Sequence, residues 1–173
     1  MDQRNGCEVT TTFPKLPYLR GKATAVKTKK SVTLFKPGAI APEFIAESIA
    51  KHQGKTAIGA HDIFLGQVRA DEIDGKTVTG IEYTAYEEMA VEKMGEIREE
   101  IFAEYELSCM HVYHSLGEVP VGGICLFVFI SAPHRTPVFR AMHTLVKRIK
   151  KELPVFGKEL FGDRSYSWKV NKF

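Results

Sequence analysis

Positively charged residues cluster around one predicted helix, in the stretch SAPHRTPVFRAMHTLVKRIKKELPVFGKE, which runs from Ser131 to Glu159. His134 and Arg135 precede this helix, with Thr136 predicted as its N-cap and Pro137 as its first residue. The free amides and the positive dipole end of a helix N-terminus favour an anion, and the Arg135 guanidinium adds a bidentate donor pair for a phosphate. The sequence therefore predicts an anion site here. The alternative is that both residues cap the strand end or pair with a glutamate.

Lys150 differs from the other cations of this helix in its angular position. A rotation of about 100° per residue predicts one apolar stripe, made of Phe139, Met142, Val146, Ile149 and Leu153. Lys150 lies only about 70° from the centre of this stripe, at the border between core and solvent. The neighbouring cations lie more than about 120° away: Lys147, Arg148 and Lys151. Such a border lysine either extends its ammonium into water, which is the commoner case, or is a partly desolvated amine that transfers protons or forms covalent bonds.

Length and composition predict one soluble domain. The 173 residues are 44% hydrophobic, and the longest apolar run, Ile124 to Ile130, is far shorter than a membrane span. Residues 1–30 show no clear periodicity and are predicted to be an N-terminal extension, which leaves 31–173 as the domain. These first residues also have no continuous apolar segment that would direct secretion, so we expect a cytoplasmic protein.

The net charge of +3 hides two oppositely charged regions. Residues 82–106 hold nine acidic residues against Lys93 and Arg98, whereas residues 134–173 hold ten Lys or Arg against three acidic residues. A solvated surface is the usual reason for such runs. A basic C-terminal third also suits an anionic ligand, and an acidic helix also suits a basic partner.

The three cysteines do not predict a metal site. Cys7, Cys109 and Cys125 contain no CxxC pair and are odd in number, which argues against a disulfide framework or a tetrahedral zinc site. Cys125 lies in the apolar run and is predicted to belong to the core. A nucleophilic or sulfur-carrying cysteine is the lesser alternative, because the local sequence places no activating histidine beside any of them.

Hydrophobic periodicity predicts a mixed α/β domain. Strands are expected at SVTLF, on both sides of the turn Asp74-Gly75, and at MHVYHSLGEVPVGG and ICLFVFISA, of which the last is apolar on both faces and therefore central. Helices are expected over 38–54, over Glu87 to Tyr105 and after Pro137. The stripe of the second helix is predicted to be Ala90, Met94, Ile97, Ile101 and Tyr105. The order β-α-β-β-α-β-β-α, followed by a short C-terminal piece, predicts a two-layer α/β sandwich with a mixed sheet and interleaved helices.

Five motifs in the same order resemble those of the large, catalytic subunit of molybdopterin synthase. They are GQVR on a strand, IEYTAYEEMA entering a helix, H-x-L-G-x-V-x-V-G before a buried strand, SAPHRTPVFRA, and IKKELPVFGKE. The match covers about residues 31 to 168. It implies a hammerhead-like α/β fold and a sulfurtransferase of molybdenum cofactor biosynthesis. Such an enzyme converts cyclic pyranopterin monophosphate, or precursor Z, into molybdopterin by installing two dithiolene sulfurs.

The resemblance also implies partners and site residues. In the family, a small ubiquitin-like subunit delivers sulfur through a Gly-Gly thiocarboxylate tail, and a homodimer of large subunits forms the centre of a heterotetramer. The implied substrate-binding residues, taken from the matching motifs, are Arg69, His134, Arg135, Lys150, Lys158 and Glu159. Lys150 is implied as the leading catalytic lysine and Lys158 as the second. Neither a metal nor a diffusible cofactor is implied, and neither nucleic acid nor a membrane is an expected partner.

This sequence departs from the family pattern after the proline. The family usually has Trp-Lys-Lys-Glu there, whereas this chain has Phe156, Gly157, Lys158 and Glu159, so the first of two active-site cations is missing. Either Lys158 takes over its role or the role is weakened.

Two other functions compete with the synthase. Phe156, Tyr166 and Trp168 lie among the basic C-terminal residues, which suits a non-catalytic module that binds RNA or another polyanion, although no RRM or KH signature is present. Gly157 instead suits a degenerate scaffold subunit that keeps the fold and the partner but has lost activity. A salt-dependent RNA-binding assay tests the first alternative, and an activity assay tests the second.

Overall fold

The strands and helices follow the apolar periodicities of the sequence over most of the described chain. The computed structural model describes residues 33–170, which belong to one compact unit, Val32–Phe173. The strands are β1 Phe35–Pro37, β2 Ala60–Gln67, β3 Glu72–Ile73, β4 Lys76–Ala85, β5 Cys109–Pro120, β6 Ile124–Ala132, β7 Val155–Phe161 and β8 Tyr166–Trp168. The helices are α1 Pro42–Ala50, α2 Glu87–Glu104 and α3 Arg135–Glu152. The predicted extension over residues 1–30 lies outside the described residues.

The strands form one mixed sheet. The order is β2-β6-β5-β4-β7-β8, with β1 paired to β5 and β3 paired to β4. Only β1 with β5 is a parallel pair among the described strands, and the other pairs are antiparallel. β6 lies between β2 and β5, and its residues from Cys125 to Ala132 are at most 8% exposed. The prediction of a central strand is therefore confirmed.

Helices cover both faces of the sheet. α2 and α3 pack on one face, against alternate residues of β5 and β6 such as Val112 and Val128. The shorter α1 packs through Ile45 on the other face, where Phe127 and Phe129 are buried. The α2 stripe agrees with the prediction: its buried residues are Ala90, Met94, Ile97 and Ile101. The mixed α/β architecture with interleaved helices is thus confirmed, with α1 as cover on the second face. None of these three helices is long and apolar enough to cross a membrane.

The predicted hairpin is present at Asp74-Gly75. Ile73 pairs with Lys76 across it, and the two turn residues have φ angles of 52° and 75°. Positive φ at both central residues is the requirement of a type I′ turn, which matches the twist of the flanking strands. Glycine meets this requirement without a Cβ clash, and aspartate is one of the few other residues that tolerate it.

Two predicted features differ from the structure. α3 begins at Arg135, so its N-cap is His134 instead of Thr136. Pro137 is therefore the third helical residue, where its missing N–H costs no bond because the first-turn amides have no intrahelical acceptor. The predicted short C-terminal piece is in fact two strands, β7 and β8. The pattern VFGKELF hides β7, because it combines a glycine with a buried glutamate, Glu159.

Candidate active site

The C-terminal end of α3 places Lys150 against one edge of the sheet. The Lys150 Nζ lies 5.6 Å from the centroid of the Phe64 ring on β2. Its positive charge also acts on the thiol of Cys125, near the start of β6. Lys150 is itself exposed at the surface. The ammonium group therefore lies at the edge where β2 ends and β6 begins.

A small cluster of buried polar side chains lies beside this edge. Tyr83, Cys125 and Glu159 are 8%, 8% and 6% exposed. Burial raises the pKa of Tyr83, and the nearby Cys125 and Glu159 raise it further. Burial also raises the pKa of the Cys125 thiol, against the opposing effects of the Tyr83 hydrogen bond and of the charges on Lys150 and Lys169. Both groups are consequently neutral at pH 7, so the cations face a site whose hydroxyl and thiol carry no charge.

Lys169 is a second cation of this cluster, which the sequence did not predict. It follows β8, and its backbone N–H donates to the carbonyl of Gly157 at 2.9 Å. Its Nζ donates to Glu159 Oε1 at 2.8 Å. A Cβ added at Gly157 would lie 3.5 Å from Lys169 Cβ and 3.0 Å from Ile81 Cγ2. The Lys169 side chain thus starts next to the place that a side chain at position 157 would occupy.

Lys158 lies on the opposite face of β7 from this cluster. Residues alternate along a strand, and Lys158 pairs with Glu82 of β4 and with Trp168 of β8. Its Nζ donates to Glu82 Oε2 at 3.1 Å and lies 5.4 Å from the centroid of the Trp168 ring. An open depression of about 310 Å³ adjoins this face, lined by Thr84, Ala85, Tyr86, Phe156 and Trp168. The Lys158 side chain therefore does not extend toward the cluster that Lys150 adjoins.

Arg69 lies at the surface near the Lys150 edge. It follows Val68, which is 2% exposed and packs in the same small core as Tyr83 and Cys125. The Arg69 side chain is exposed, and its Nη2 donates to Asp71 Oδ2 at 2.7 Å. An exposed ion pair of this kind stabilises little, so the guanidinium can exchange Asp71 for another anion at small cost.

His134 and Arg135 lie at the other end of α3. They are the N-cap and the first residue, and both are exposed, as the anion-site prediction requires. Within residues 33–170 neither forms an ion pair, so the alternative of pairing with a glutamate is not realised there. Arg135 and Lys150 are 15 positions apart on α3, which at about 1.5 Å per residue is about 22 Å.

The apolar stripe of α3 differs from the predicted one. Its buried residues are Val138, Ala141, Met142, Leu145 and Ile149, whereas Phe139 is 59% exposed. The prediction was wrong for Phe139, and the stripe is rotated toward Val138. Lys150 then lies about 120° from the centre of the stripe, at about 100° per residue. Its proximity to Phe64 and Cys125, and not its angle alone, distinguishes it from Lys151.

Comparison with known proteins identifies the family. A family model described as MoaE protein matches residues 40–152, which is more than half of the chain. The chain belongs to the MoaE family. A molybdopterin synthase catalytic subunit 1 of Aedes aegypti is 39% identical over 117 residues, which are 66% of this chain and 75% of that relative. The molybdopterin synthase catalytic subunit of Drosophila willistoni is 38% identical over 121 residues, which are 69% of this chain and 32% of that relative. This MoaE chain thus spans about a third of the Drosophila relative.

Solved structures agree with this MoaE assignment. The crystal structure of molybdopterin synthase from Staphylococcus aureus superposes with a TM-score of 0.70 at 26% identity, covering 80% of this chain and 97% of that one. A complex of subunits 1 and 2 of molybdopterin-converting factor from Helicobacter pylori gives 0.69 at 16% identity, over 82% and 92% of the two chains. The second likeness shows the fold alone. The resemblance of the motifs to the large subunit is confirmed at the level of the family and the fold.

Besides Cys125, which the sequence assigned only to the core, the members of this site that the sequence did not predict are Tyr83 and Lys169. They could be found from the alternation of side chains between the two faces of three adjacent strands, β4, β7 and β8. Tyr83 faces Gly157 across β4 and β7, and Ser167 faces Glu159 across β7 and β8. Residue 169 then shares a face with residues 157 and 159. This signal depends on knowing that β7 and β8 exist, which the local sequence does not reveal.

Proposed function

We propose that this chain is the catalytic subunit of a molybdopterin synthase, acting in the cytoplasm. It would transfer sulfur from the thiocarboxylated C-terminus of a small ubiquitin-like partner to precursor Z. The observation that carries the proposal is the pair of cations, Lys150 and Lys169, beside the buried, uncharged side chains of Tyr83 and Cys125 at one edge of a MoaE-family sheet. Two positive charges near uncharged Tyr83 and Cys125 suit an anionic tail or an anionic intermediate.

The transfer requires charge stabilisation and proton movement. Each transfer replaces a carbon–oxygen bond of the substrate with a carbon–sulfur bond and breaks the acyl carbon–sulfur bond of the tail. Water supplies the oxygen of the released carboxylate, and the displaced substrate oxygen leaves as water or stays on the phosphate. Each tail carries one sulfur, so two dithiolene sulfurs need two partner molecules. Lys150 would supply the mobile proton, since a lysine ammonium can give up its proton whereas an arginine guanidinium such as that of Arg69 does not.

The second cation of the site would be Lys169. Its Nζ is held by Glu159, a carboxylate that is almost completely buried, so the ammonium has a fixed position. We propose that Lys169 supplies the charge for which the sequence suggested Lys158. The physical reason is the strand parity, which directs Lys158 toward Glu82 and Trp168. Arg69 and Glu159 keep their proposed places at the substrate site.

In a homodimer, His134 and Arg135 of one chain would hold the phosphate of the substrate that is bound near Lys150 of the other chain. About 22 Å of rigid helix separates Arg135 from Lys150, which is too far for one small pterin to contact both. A homodimer that places the α3 N-terminus of one chain beside the α3 C-terminus of the other would complete each site. Two small partners bound to this dimer give the heterotetramer.

We expect a dimer in solution that binds two copies of the small partner. Light scattering of the chain alone, and then with a Gly-Gly-ended ubiquitin-like protein, should give the masses of a homodimer and of a two-plus-two complex. A strict monomer that ignores the partner would contradict both the shared site and the synthase assignment.

We expect Arg135→Ala to weaken precursor Z binding without unfolding the protein. The helix N-terminus keeps its amides but loses the guanidinium, which for a charge-assisted bond costs about 1.5–3 kcal/mol, or roughly 10- to 150-fold in Kd. Titration of precursor Z against the wild type and Arg135→Ala measures this change. Arg140→Ala is the matched control, because Arg140 is also an exposed α3 arginine. Equal affinities of all three proteins would place the phosphate elsewhere.

Reconstitution decides the proposed function. The chain is mixed with thiocarboxylated small partner and precursor Z, and molybdopterin is quantified, with partner carrying an ordinary carboxylate as the control. Product that requires the thiocarboxylate supports the synthase. A stable complex without product would instead identify a degenerate scaffold subunit, and binding of generic RNA with a steep salt dependence would favour the polyanion-binding module.

A further inference from the structure

Three potential metal ligands converge on the sheet face that α1 covers. They are His52, Cys109 and His111, and their ligand atoms all lie within 4.8 Å of one another. His52 and Cys109 are 5% and 8% exposed, and His111 is half-buried. The group lies where β5 begins and β6 ends, whereas Lys150 lies near the start of β6. It is therefore distinct from the candidate active site.

The strand register builds this group from distant parts of the sequence. Cys109 and His111 are two positions apart on β5, so both side chains project from one face. Cys109 pairs with Ser131 and His111 with Phe129 on the central strand β6. His52 lies just beyond α1, and its ring packs edge-on against the Phe129 ring, with 4.7 Å between the centroids. The spacing of the three cysteines could not reveal this site, because it contains only one cysteine and its two histidines come from different elements.

The hydrogen bonds direct two ring nitrogens to one point. His52 Nδ1 lies 2.7 Å from the Ser48 carbonyl oxygen. A carbonyl only accepts, so Nδ1 carries the proton and Nε2 presents its lone pair. His111 Nε2 is 3.1 Å from that atom. Two nitrogens bound to tetrahedral zinc at about 2.0–2.1 Å lie roughly 3.3–3.4 Å apart, so a small shift would admit the ion.

The surroundings match those of a bound histidine. A histidine ligand usually donates its other ring N–H to a carbonyl or a carboxylate, as His52 does to Ser48. Lys55 and Arg98 add positive charge nearby, which a thiolate at Cys109 would partly offset. Within residues 33–170 Cys109 is a free cysteine, so no disulfide occupies its sulfur.

We propose that His52, Cys109 and His111 form a binding site for a divalent transition-metal ion of the zinc type. One thiolate and two imidazoles are the donor set that such ions prefer over magnesium or calcium. Binding would release the Cys109 thiol proton to solvent and move the His111 proton from Nε2 to Nδ1. A water molecule would take the fourth position. The ion would tie the turn after α1 to β5, so its role would be to stabilise the fold.

Cobalt spectroscopy of the tag-free, chelator-treated full chain tests this proposal. Co²⁺ should bind one per chain, with tetrahedral visible bands and a thiolate-to-cobalt charge-transfer band that Zn²⁺ then removes. Zn²⁺ should also raise the Tm, because an ion that binds only the folded state stabilises it. A folded wild type without these signals would overturn the proposal, and the contact of His52 with His111 would then be an ordinary hydrogen bond.

Variants locate the ligands. Cys109→Ser should abolish the charge-transfer band and weaken binding by more than the roughly 10- to 100-fold that loss of an outer partner costs. His111→Ala should weaken binding similarly. Cys7→Ser and Cys125→Ser are the thiol controls, and His143→Ala is the control for an exposed histidine. A band that survives in Cys109→Ser, or is lost with Cys7→Ser or Cys125→Ser, would assign the metal to another site. If Cys109→Ser fails to fold, the wild-type band and the thiol controls still decide.

Discussion

Lys150→Ala should lower molybdopterin formation in a single turnover by about 100- to 10,000-fold, the range of a lost general acid or base. The adjacent Lys151→Ala should change it only a few-fold. The two residues have the same chemistry, but Lys150 contacts the Phe64 ring and acts on Cys125, whereas the charge of Lys151 acts on its neighbour Glu152. Rapid mixing with thiocarboxylated partner and precursor Z measures the contrast.

Lys150→Arg is the most informative companion. It keeps the positive charge, but a guanidinium does not readily give up its proton, so it should fail almost as completely as Lys150→Ala. Circular dichroism and partner binding confirm that each variant folds and assembles. Equal losses at positions 150 and 151, or full activity in Lys150→Arg, would mean that the lysine only neutralises charge.

Lys169→Ala should lower single-turnover product formation by about 100- to 1,000-fold, as for loss of one preorganised electrostatic group. Lys158→Ala should have a much smaller effect. Lys158 lies on β7 and Lys169 directly follows β8, and their side chains extend from opposite faces, where Lys169 donates to Glu159 and Lys158 to Glu82. The same assay compares them, and precursor Z titration separates weakened binding from slowed chemistry.

The pair also tests how this chain compensates for Gly157. If Lys158→Ala is the inactive variant and Lys169→Ala is active, the second cation acts from the face of Trp168, and the site extends around β7. Glu159→Gln tests whether Glu159 acts by positioning Lys169, because this substitution should release the Lys169 ammonium without removing its charge. It should therefore lose less activity than Lys169→Ala.

Local patterns predicted the elements whose residues carry their own structural signal. The α2 stripe follows from four apolar residues at helical spacing, and the hairpin follows from Asp74-Gly75, which only one common turn type accommodates. The central position of β6 follows from its continuous apolar run. In each case the burial or the backbone angle is determined by residues that lie close together in the sequence.

The rest depends on contacts between distant residues. β7 was not predicted because its buried residue Glu159 is paired with Lys169, which follows β8 and is not a local neighbour in the sequence. Phe139 has the periodicity of a core residue, yet the packing of α3 leaves it exposed. The motifs suggested Lys158 as the second lysine of the site, whereas strand pairing places its side chain on the opposite face of β7 from Glu159, and the local sequence does not reveal that pairing. The convergence of His52 with Cys109 and His111 likewise follows only from the register.

The short connection between α3 and β7 determines which side chains of β7 face the Tyr83–Cys125 cluster. α3 ends at Glu152 and β7 begins at Val155, and the Pro154 carbonyl accepts the Tyr86 N–H, which anchors the connection beside β4. One extra residue there would invert β7, turning Lys158 toward the cluster and Glu159 toward Trp168, because the strand period is two. Relatives should therefore differ in this segment by substitutions, or by insertions and deletions of two residues, and not by a change of one residue in length.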